Sequence, residues 1–485
     1  MFSVDSEHLR TALALGFAGG ILRTVSRPWT ASKADTMQHC DTLIYPGWCV
    51  PVEPSATVLT HVAVAITDGR IAGITDVADA REKYQPSITI KRPDHVLLPG
   101  LINTHTHAAM TLFRGLADDL PLEEWLRAAI WPAEKRWVSA EMVRDGTELA
   151  IAEMLRAGVT CFSDQYFFPE IVAETSVDLQ IRAVVGTPVI DTPTAWAKDA
   201  SQCLSKGSDL VHDPYADHPL VSTCFAPHST HALSDESFVE LRVLADQLDT
   251  PVQIHLHETA AEVAESVSRT GKRPLHRLAD LGLVNSSLLA VHAVHMNDAE
   301  IELMSAAGVK VAHCPKSNMK LGSGFAPLAA YRAAGVRIGI GTDGAASNNN
   351  LDILDELRMA ALVAKAVSGD ASELSATAAL RMATMDAATT LGLEKDVGSI
   401  EVGKSADLTC IDLEHFNSQP VYDPVSQVVY TARADQVSDV WVAGKHLLDS
   451  GLLTGMDAGE LLARCHEWRQ RIGQDTPQNE RSKPQ

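Results

Sequence analysis

From residue 96 onward, short apolar runs rich in β-branched residues alternate with longer stretches of helical periodicity. Eight such runs can be counted, at 96–104, 159–163, 182–189, 220–226, 252–256, 288–292, 309–313 and 336–342. Between them, 141–157, 234–248, 260–281, 298–307 and 327–334 repeat their apolar positions every three or four residues, which predicts helices. The short runs are continuously apolar rather than alternating, so both faces of each strand should be buried, as in a parallel sheet covered by helices. Eight such units in about 300 residues fit a closed (β/α)8 TIM barrel better than an open doubly wound sheet. No Gly-x-Gly-x-x-Gly opens a helix after the first run, and a dinucleotide site finds no support.

The pattern changes on both flanks. Segments 41–75 and 398–451 read as short strands with turns, and neither is large enough to bury a core alone. They are expected to pair into one small β-sandwich built from both ends of the chain. The division that follows is 37–95 with 397–455 as the composite β-sandwich, 96–396 as the barrel, and 456–485 as a C-terminal helix and tail. Residues 1–36 are expected to be a peripheral extension, helical or disordered. Its apolar run at 13–22 contains adjacent glycines, follows Asp5 and Glu7, and has no small-residue cleavage site, unlike a secretory signal. Because the strand pattern begins only at Asp41, Met37 is a candidate start.

Charge narrows the function classes. The 485 residues carry 62 acidic against 40 basic side chains, a formal net charge of -22, which opposes binding to nucleic-acid backbones or anionic membranes. No stretch approaches the roughly 20 apolar residues of a membrane span. The eight cysteines lie far apart without a Cys-x-x-Cys, so neither a disulfide framework nor a thiolate metal site is indicated, and a cytoplasmic home is expected. Any metal must be held by imidazole and carboxylate.

Polar residues at the strand ends supply that chemistry. His105 and His107 end the first run, two apart, so both can point to one face. With 19 histidines in the chain, about one such pair arises by chance, and the pair alone says little. The setting, however, recurs: His228 follows the fourth run, and His255, His292, His313 and Asp343 stand at the ends of the fifth to eighth. In a barrel these ends converge on the face where active sites sit. His105, His107, His255 and Asp343 are the candidate ligands of one divalent ion, zinc first, with iron or manganese as alternatives. Such an ion lowers the pKa of bound water to about 7, and Asp343 is placed to accept the water proton. Glu258 lies three residues past His255, where it can pass a proton to a ring nitrogen or simply cap a helix. His292 can orient the attacking oxygen, while His257 and His295 read as structural. The loop 111–126, with Phe113 and Trp125, could cover a flat heterocycle or pack on a neighbouring subunit.

These residues, with the segment Thr111–Trp125, Trp131-Pro132-Ala133-Glu134, His255-Leu256-His257-Glu258, His313-Cys314-Pro315-Lys316-Ser317-Asn318 and Gly341-Thr342-Asp343-Gly344, resemble the amidohydrolase superfamily. Within it, the chain is similar to the 5-methylthioadenosine/S-adenosylhomocysteine deaminases from about residue 40 to 450. The resemblance implies a mononuclear metal at His105, His107, His255 and Asp343, and substrate contacts from Glu134 to ribose hydroxyls and from His228. It assigns proton handling at the purine ring to Glu258 and Asp343, and it implies a homo-oligomer. Some members place a substrate-binding arginine after the third strand, where this chain reads Val185-Gly186-Thr187-Pro188; Arg182 precedes that position and does not inherit the role. The expected reaction is hydrolytic deamination of methylthioadenosine, S-adenosylhomocysteine or adenosine to the inosine analogue and ammonia. Competing expectations are a guanine, pterin or s-triazine amidohydrolase, and a non-catalytic barrel that binds a metal or metabolite.

Overall fold

A computed structural model describes residues 37–475. Eight parallel strands follow one another in chain order around a barrel: Leu101–Thr106, Val159–Gln165, Arg182–Val189, Val221–Pro227, Val252–Leu256, Leu288–His292, Lys310–His313 and Arg337–Ile340. The first and eighth meet without a regular ladder. The Asn103 side chain donates to Thr342 Oγ1 at 2.7 Å and accepts from the Thr342 amide at 3.0 Å, and the Asp343 amide donates to the His105 carbonyl at 3.0 Å. That closure sets Asp343 directly beside His105.

The two flanks form one eight-stranded sheet. Gln38–Cys49, Val62–Thr67, Arg70–Asp76 and Tyr84–Pro99 come from one end, and Leu408–Asp412, Val437–Val442, Lys445–Asp449 and Leu452–Leu453 from the other. The join is antiparallel, with Leu97 opposite Cys410 and Leu98 opposite Thr409. Period-two alternation gives this sheet two buried faces: Ile44, Val64, Leu97 and Trp441 pack on one, Leu43, Ala63, Ala65 and Tyr84 on the other.

Two expected elements are divided. The run 96–104 splits at Gly100, with residues up to Pro99 in the end sheet and those from Leu101 in the barrel. Both halves are fully buried, so hydrophobicity does not reveal the change of partner. Gly100 is needed at the crossing because a Cβ there would lie 2.0 Å from Thr160 Oγ1. The helical stretch 260–281 becomes Ala260–Thr270 and Pro274–Asp280, separated by Gly271 at φ +73° and by Pro274, which starts the second helix. At the C-terminal end, Ala458–Asp475 lies on helix Ala140–Arg156, with Trp468 Nε1 donating to Asp145 at 2.8 Å. No helix among the described residues is long and apolar enough to cross a membrane.

Arg182 opens the third barrel strand at the end opposite the strand C-termini and reaches into the end sheet. Its guanidinium pairs with the buried Asp407 at 2.9 Å, and further hydrogen bonds run to Ser405 Oγ and the Pro219 carbonyl. Arg182 is therefore a tie between the barrel and the end sheet. Arg182→Met is expected to cost about 3–5 kcal/mol, because it strands a buried carboxylate. Chemical denaturation measures this, and a loss under about 1 kcal/mol would show that the tie contributes little.

Candidate active site

The C-terminal rim of the barrel holds a compact histidine cluster. His105 sits at the end of the first strand and His107 just past it, their ring centroids 4.9 Å apart. His255 comes from the fifth strand, 4.9 Å from His105 and 5.3 Å from His107. His292, from the sixth strand, stacks on His255 at 5.4 Å but lies 6.1 Å from His105. Asp343 Oδ1 stands 3.2 Å from His107 Nε2 and 3.6 Å from His105 Nε2. The chain makes sharp left-handed turns at this rim, with φ +53° at His257, +66° at His292, +48° at Ala293 and +62° at Asp343. Such conformations are unfavourable for non-glycine residues and cluster where side chains must be aimed.

The proton inventory shows what the cluster can hold. A carbonyl only accepts, so the 2.7 Å bond from His255 Nδ1 to the His228 carbonyl places the imidazole proton on Nδ1. The same argument puts the proton of neutral His107 on Nδ1, 2.5 Å from the Gln165 carbonyl. Both rings then turn unprotonated Nε2 atoms inward. His255 Nε2 lies 3.1 Å from His105 Nε2, and the Asp343 carboxylate adds negative charge beside them. Lone pairs converge on one small volume, an arrangement a cation relieves. Imidazole nitrogens with a carboxylate suit zinc, and rings anchored through the other nitrogen to carbonyls are typical of metal-binding histidines. His105, His255, His292 and Asp343 each bring a ligand atom within 4.8 Å of the others.

Without a cation the charges are strained. Burial pushes the His105 imidazole down to about 4, although the Asp343 hydrogen bond opposes this. His255 is driven well below its usual range by burial and then by the imidazoles around it. For His107 burial also disfavours charge, but Asp343 and the Gln165 carbonyl outweigh it and raise the ring to about 9. Burial would raise Asp343, yet the hydrogen bonds to His105 and His107 hold it well below the ordinary carboxylate range. Asp343 is fully engaged: Oδ2 accepts from Ser317 Oγ at 2.6 Å and Ser347 Oγ at 2.8 Å, and Oδ1 from the Gly344 amide at 2.7 Å.

Around this centre stand the other sequence-derived residues. Glu258 faces the cluster, its Oε2 3.8 Å from His292 Nε2 and its Oε1 accepting from Ser323 Oγ at 3.1 Å. It does not cap the following helix; Thr259 does so, through the Glu262 amide. Burial raises the Glu258 carboxyl. Glu134 accepts from the Tyr166 hydroxyl at 3.0 Å, and burial lifts it to about 7. The His228 ring is 5.0 Å from His255, and burial followed by His231 pushes it down to about 3. His257 would share the face of His255 on a regular strand, but its left-handed backbone turns it away, to accept from the Leu275 amide at 3.0 Å. His295 bonds the Ser323 carbonyl, and His313 lines a 230 Å³ cavity outside the cluster. Phe113 and Trp125 are buried in this chain's own core.

Several contributors carry no advance signal. Gln165 acts through its backbone carbonyl, and Asp164 holds the turn after His107 by accepting from the Ala108 amide at 2.6 Å and from Thr106 Oγ1. Ser317 and Asn318 sit in the motif 313–318, whose spacing alone shows nothing of their partners.

Comparison with known proteins places the chain in a family. Residues 96–447 match the amidohydrolase family model. A 5-methylthioadenosine/S-adenosylhomocysteine deaminase of Teredinibacter turnerae is 45% identical over 88% of this chain and 96% of its own length. A 5'-deoxyadenosine deaminase of Methanopyrus kandleri is 40% identical over 84% and 93%. Among solved structures, a zinc-bound adenosine deaminase from Xanthomonas campestris superposes with a TM-score of 0.89 at 50% identity, covering 90% of this chain and all of that one. An atrazine chlorohydrolase from Arthrobacter aurescens, at 24% identity and a TM-score of 0.82, shares the fold.

Zinc added to metal-stripped protein is expected to raise the melting temperature and to saturate at one ion per chain. With free zinc about 1,000-fold above Kd the gain is about 4 kcal/mol. His255→Ala should abolish it. Identical melting with and without zinc would contradict a cation site at this cluster.

Proposed function

This chain belongs to the amidohydrolase family and, within it, to the 5-methylthioadenosine/S-adenosylhomocysteine deaminases, and from that premise we propose that it hydrolytically deaminates an adenosine-type thioether nucleoside, or adenosine itself. The products are the inosine analogue and ammonia. The observation that carries the proposal is a half-buried carboxyl, Glu258, set against a group of inward-facing imidazole lone pairs, with a second half-buried carboxyl, Glu134, hydrogen-bonded to Tyr166.

We assign the metal to His105, His107, His255 and Asp343. His107 is preferred to His292 because its ring lies nearer His105 and its Nε2 is 3.2 Å from the shared carboxylate oxygen. A bound zinc supplies an electrophile that lets water act as a nucleophile near neutral pH. The protein residues then divide the proton work. Asp343 takes a proton from the water that adds at C6 of the purine. Glu258, whose carboxyl is kept protonated more readily by burial, delivers a proton to N1 and then helps the amino group leave as ammonia. His292 orients the attacking oxygen through Nε2. Glu134 accepts hydrogen bonds from ribose hydroxyls, and His228 lies against the substrate. The setting we propose is the cytoplasm, in keeping with eight unpaired cysteines, seven of them buried. A homo-oligomer is proposed on the family resemblance.

Purified zinc-loaded enzyme is expected to remove the adenine absorbance band of methylthioadenosine or S-adenosylhomocysteine, and no loss with either would defeat the substrate assignment. In the same assay Glu134→Gln should lower kcat/KM by roughly 10- to 150-fold, the equivalent of one charged hydrogen bond of about 1.5–3 kcal/mol. An unchanged kcat/KM would point to a substrate without a ribose.

A further inference from the structure

Three groups assigned to the chemistry hang on one short element. The seventh barrel strand, Lys310–His313, passes into helix Pro315–Lys320 and a turn ending at Ser323. Along this element Ser317 Oγ donates to Asp343, Ser323 Oγ donates to Glu258, and Asn318 Oδ1 meets His292 Nδ1 at 2.8 Å. The element is itself fixed from behind. The Lys316 amide donates to Glu356 at 3.2 Å, its ammonium reaches Asp355 at 2.6 Å, and the amides of Ser323 and Gly324 fold back onto the Asn318 carbonyl. Asn318 and His292 are each 1% exposed, so the contact between them is shielded from solvent.

The contact decides which nitrogen of His292 carries the proton. An imidazole that donates from Nδ1 presents a lone pair at Nε2, and Nε2 is the atom that faces Glu258 at 3.8 Å. His107 and His255 have the same property fixed by main-chain carbonyls, which mutation cannot remove. In His292 a side chain does this work. The backbone gives no help there: His292 and Ala293 both hold left-handed conformations, at φ +66° and +48°, so the ring leaves the strand at a turn rather than along a regular ladder.

Resting on the deaminase reading above, we propose that Asn318 is a positioning residue: its side-chain oxygen takes the Nδ1 proton of His292 and holds that ring with Nε2 unprotonated and turned toward the reacting centre. Asn318 touches neither substrate nor metal. It acts on turnover through His292, and therefore on kcat rather than on substrate affinity.

The test compares wild type, Asn318→Leu and Asn318→Asp, each loaded with zinc, by kcat, KM, metal content and melting temperature. Leucine keeps the branched outline, at a larger volume, and removes the acceptor; aspartate keeps the acceptor and removes the amide donor. Asn318→Leu should lower kcat roughly 10- to 100-fold, the scale on which losing an orienting hydrogen-bond partner beside a metal centre acts. KM should stay within about threefold and zinc at one per chain. Asn318→Asp should recover kcat to within about tenfold of wild type. Wild-type kcat in Asn318→Leu, or equal losses in the leucine and aspartate variants, would overturn the proposal. If Asn318→Leu does not fold, Asn318→Ala is compared with Asn318→Asp by the same criteria. A wild-type enzyme that turns over no nucleoside would overturn the deaminase reading first and remove this assignment with it.

Discussion

Three imidazoles and a carboxylate cannot face one another across 3 to 4 Å in a buried volume unless something positive sits between them. Two of the rings, His107 and His255, have their outer nitrogens committed to main-chain carbonyls, so each neutral ring presents a lone pair inward, and either a proton on that nitrogen, which Asp343 favours at His107, or a bound cation offsets the repulsion. The geometry is held rigid by the barrel closure at Asn103 and Thr342, and by three donors on Asp343. The perturbed titration of His105, His107 and Asp343 is the electrostatic trace of that constraint. Charge balance at the rim, and through it the chemistry, depends on a cation the fold has prepared for.

The surrounding structure serves that constraint at two distances. Close by, left-handed turns at His292 and Asp343 aim the side chains inward, while the turn at His257 removes the second histidine of the fifth strand's end. A single strand-end segment, His255 to Glu258, thereby supplies one inward imidazole, one outward imidazole and one half-buried carboxyl. Further out, the end sheet braces the opposite rim through Arg182 and Asp407. Stability and chemistry sit on opposite ends of the barrel, as the fold class allows.

Much of this was legible in the chain because burial and metal binding both leave periodic marks. Continuous apolar runs identified the strands, and histidines placed just beyond them identified the rim. The signal failed where two environments are equally apolar: nothing in 96–104 marks the crossing at Gly100, since both halves are buried. It failed again where function is carried by the main chain or by short polar side chains. The Gln165 and His228 carbonyls, Ser317, Ser323 and Asn318 have no composition or spacing that separates them from ordinary core polar groups. His107 and His292 show a subtler limit. Both are strand-end histidines, and only ring positions and shared partners distinguish their places in the cluster.

Anomalous diffraction at the zinc edge, recorded from crystals of the zinc-loaded protein, tests the central claim most directly. The account predicts a single strong peak at the barrel rim with His105, His107 and His255 nitrogens and an Asp343 oxygen at about 2.0–2.2 Å. A peak ligated by His292 in place of His107, or found instead beside Asp439 and His446 in the end sheet, would contradict it.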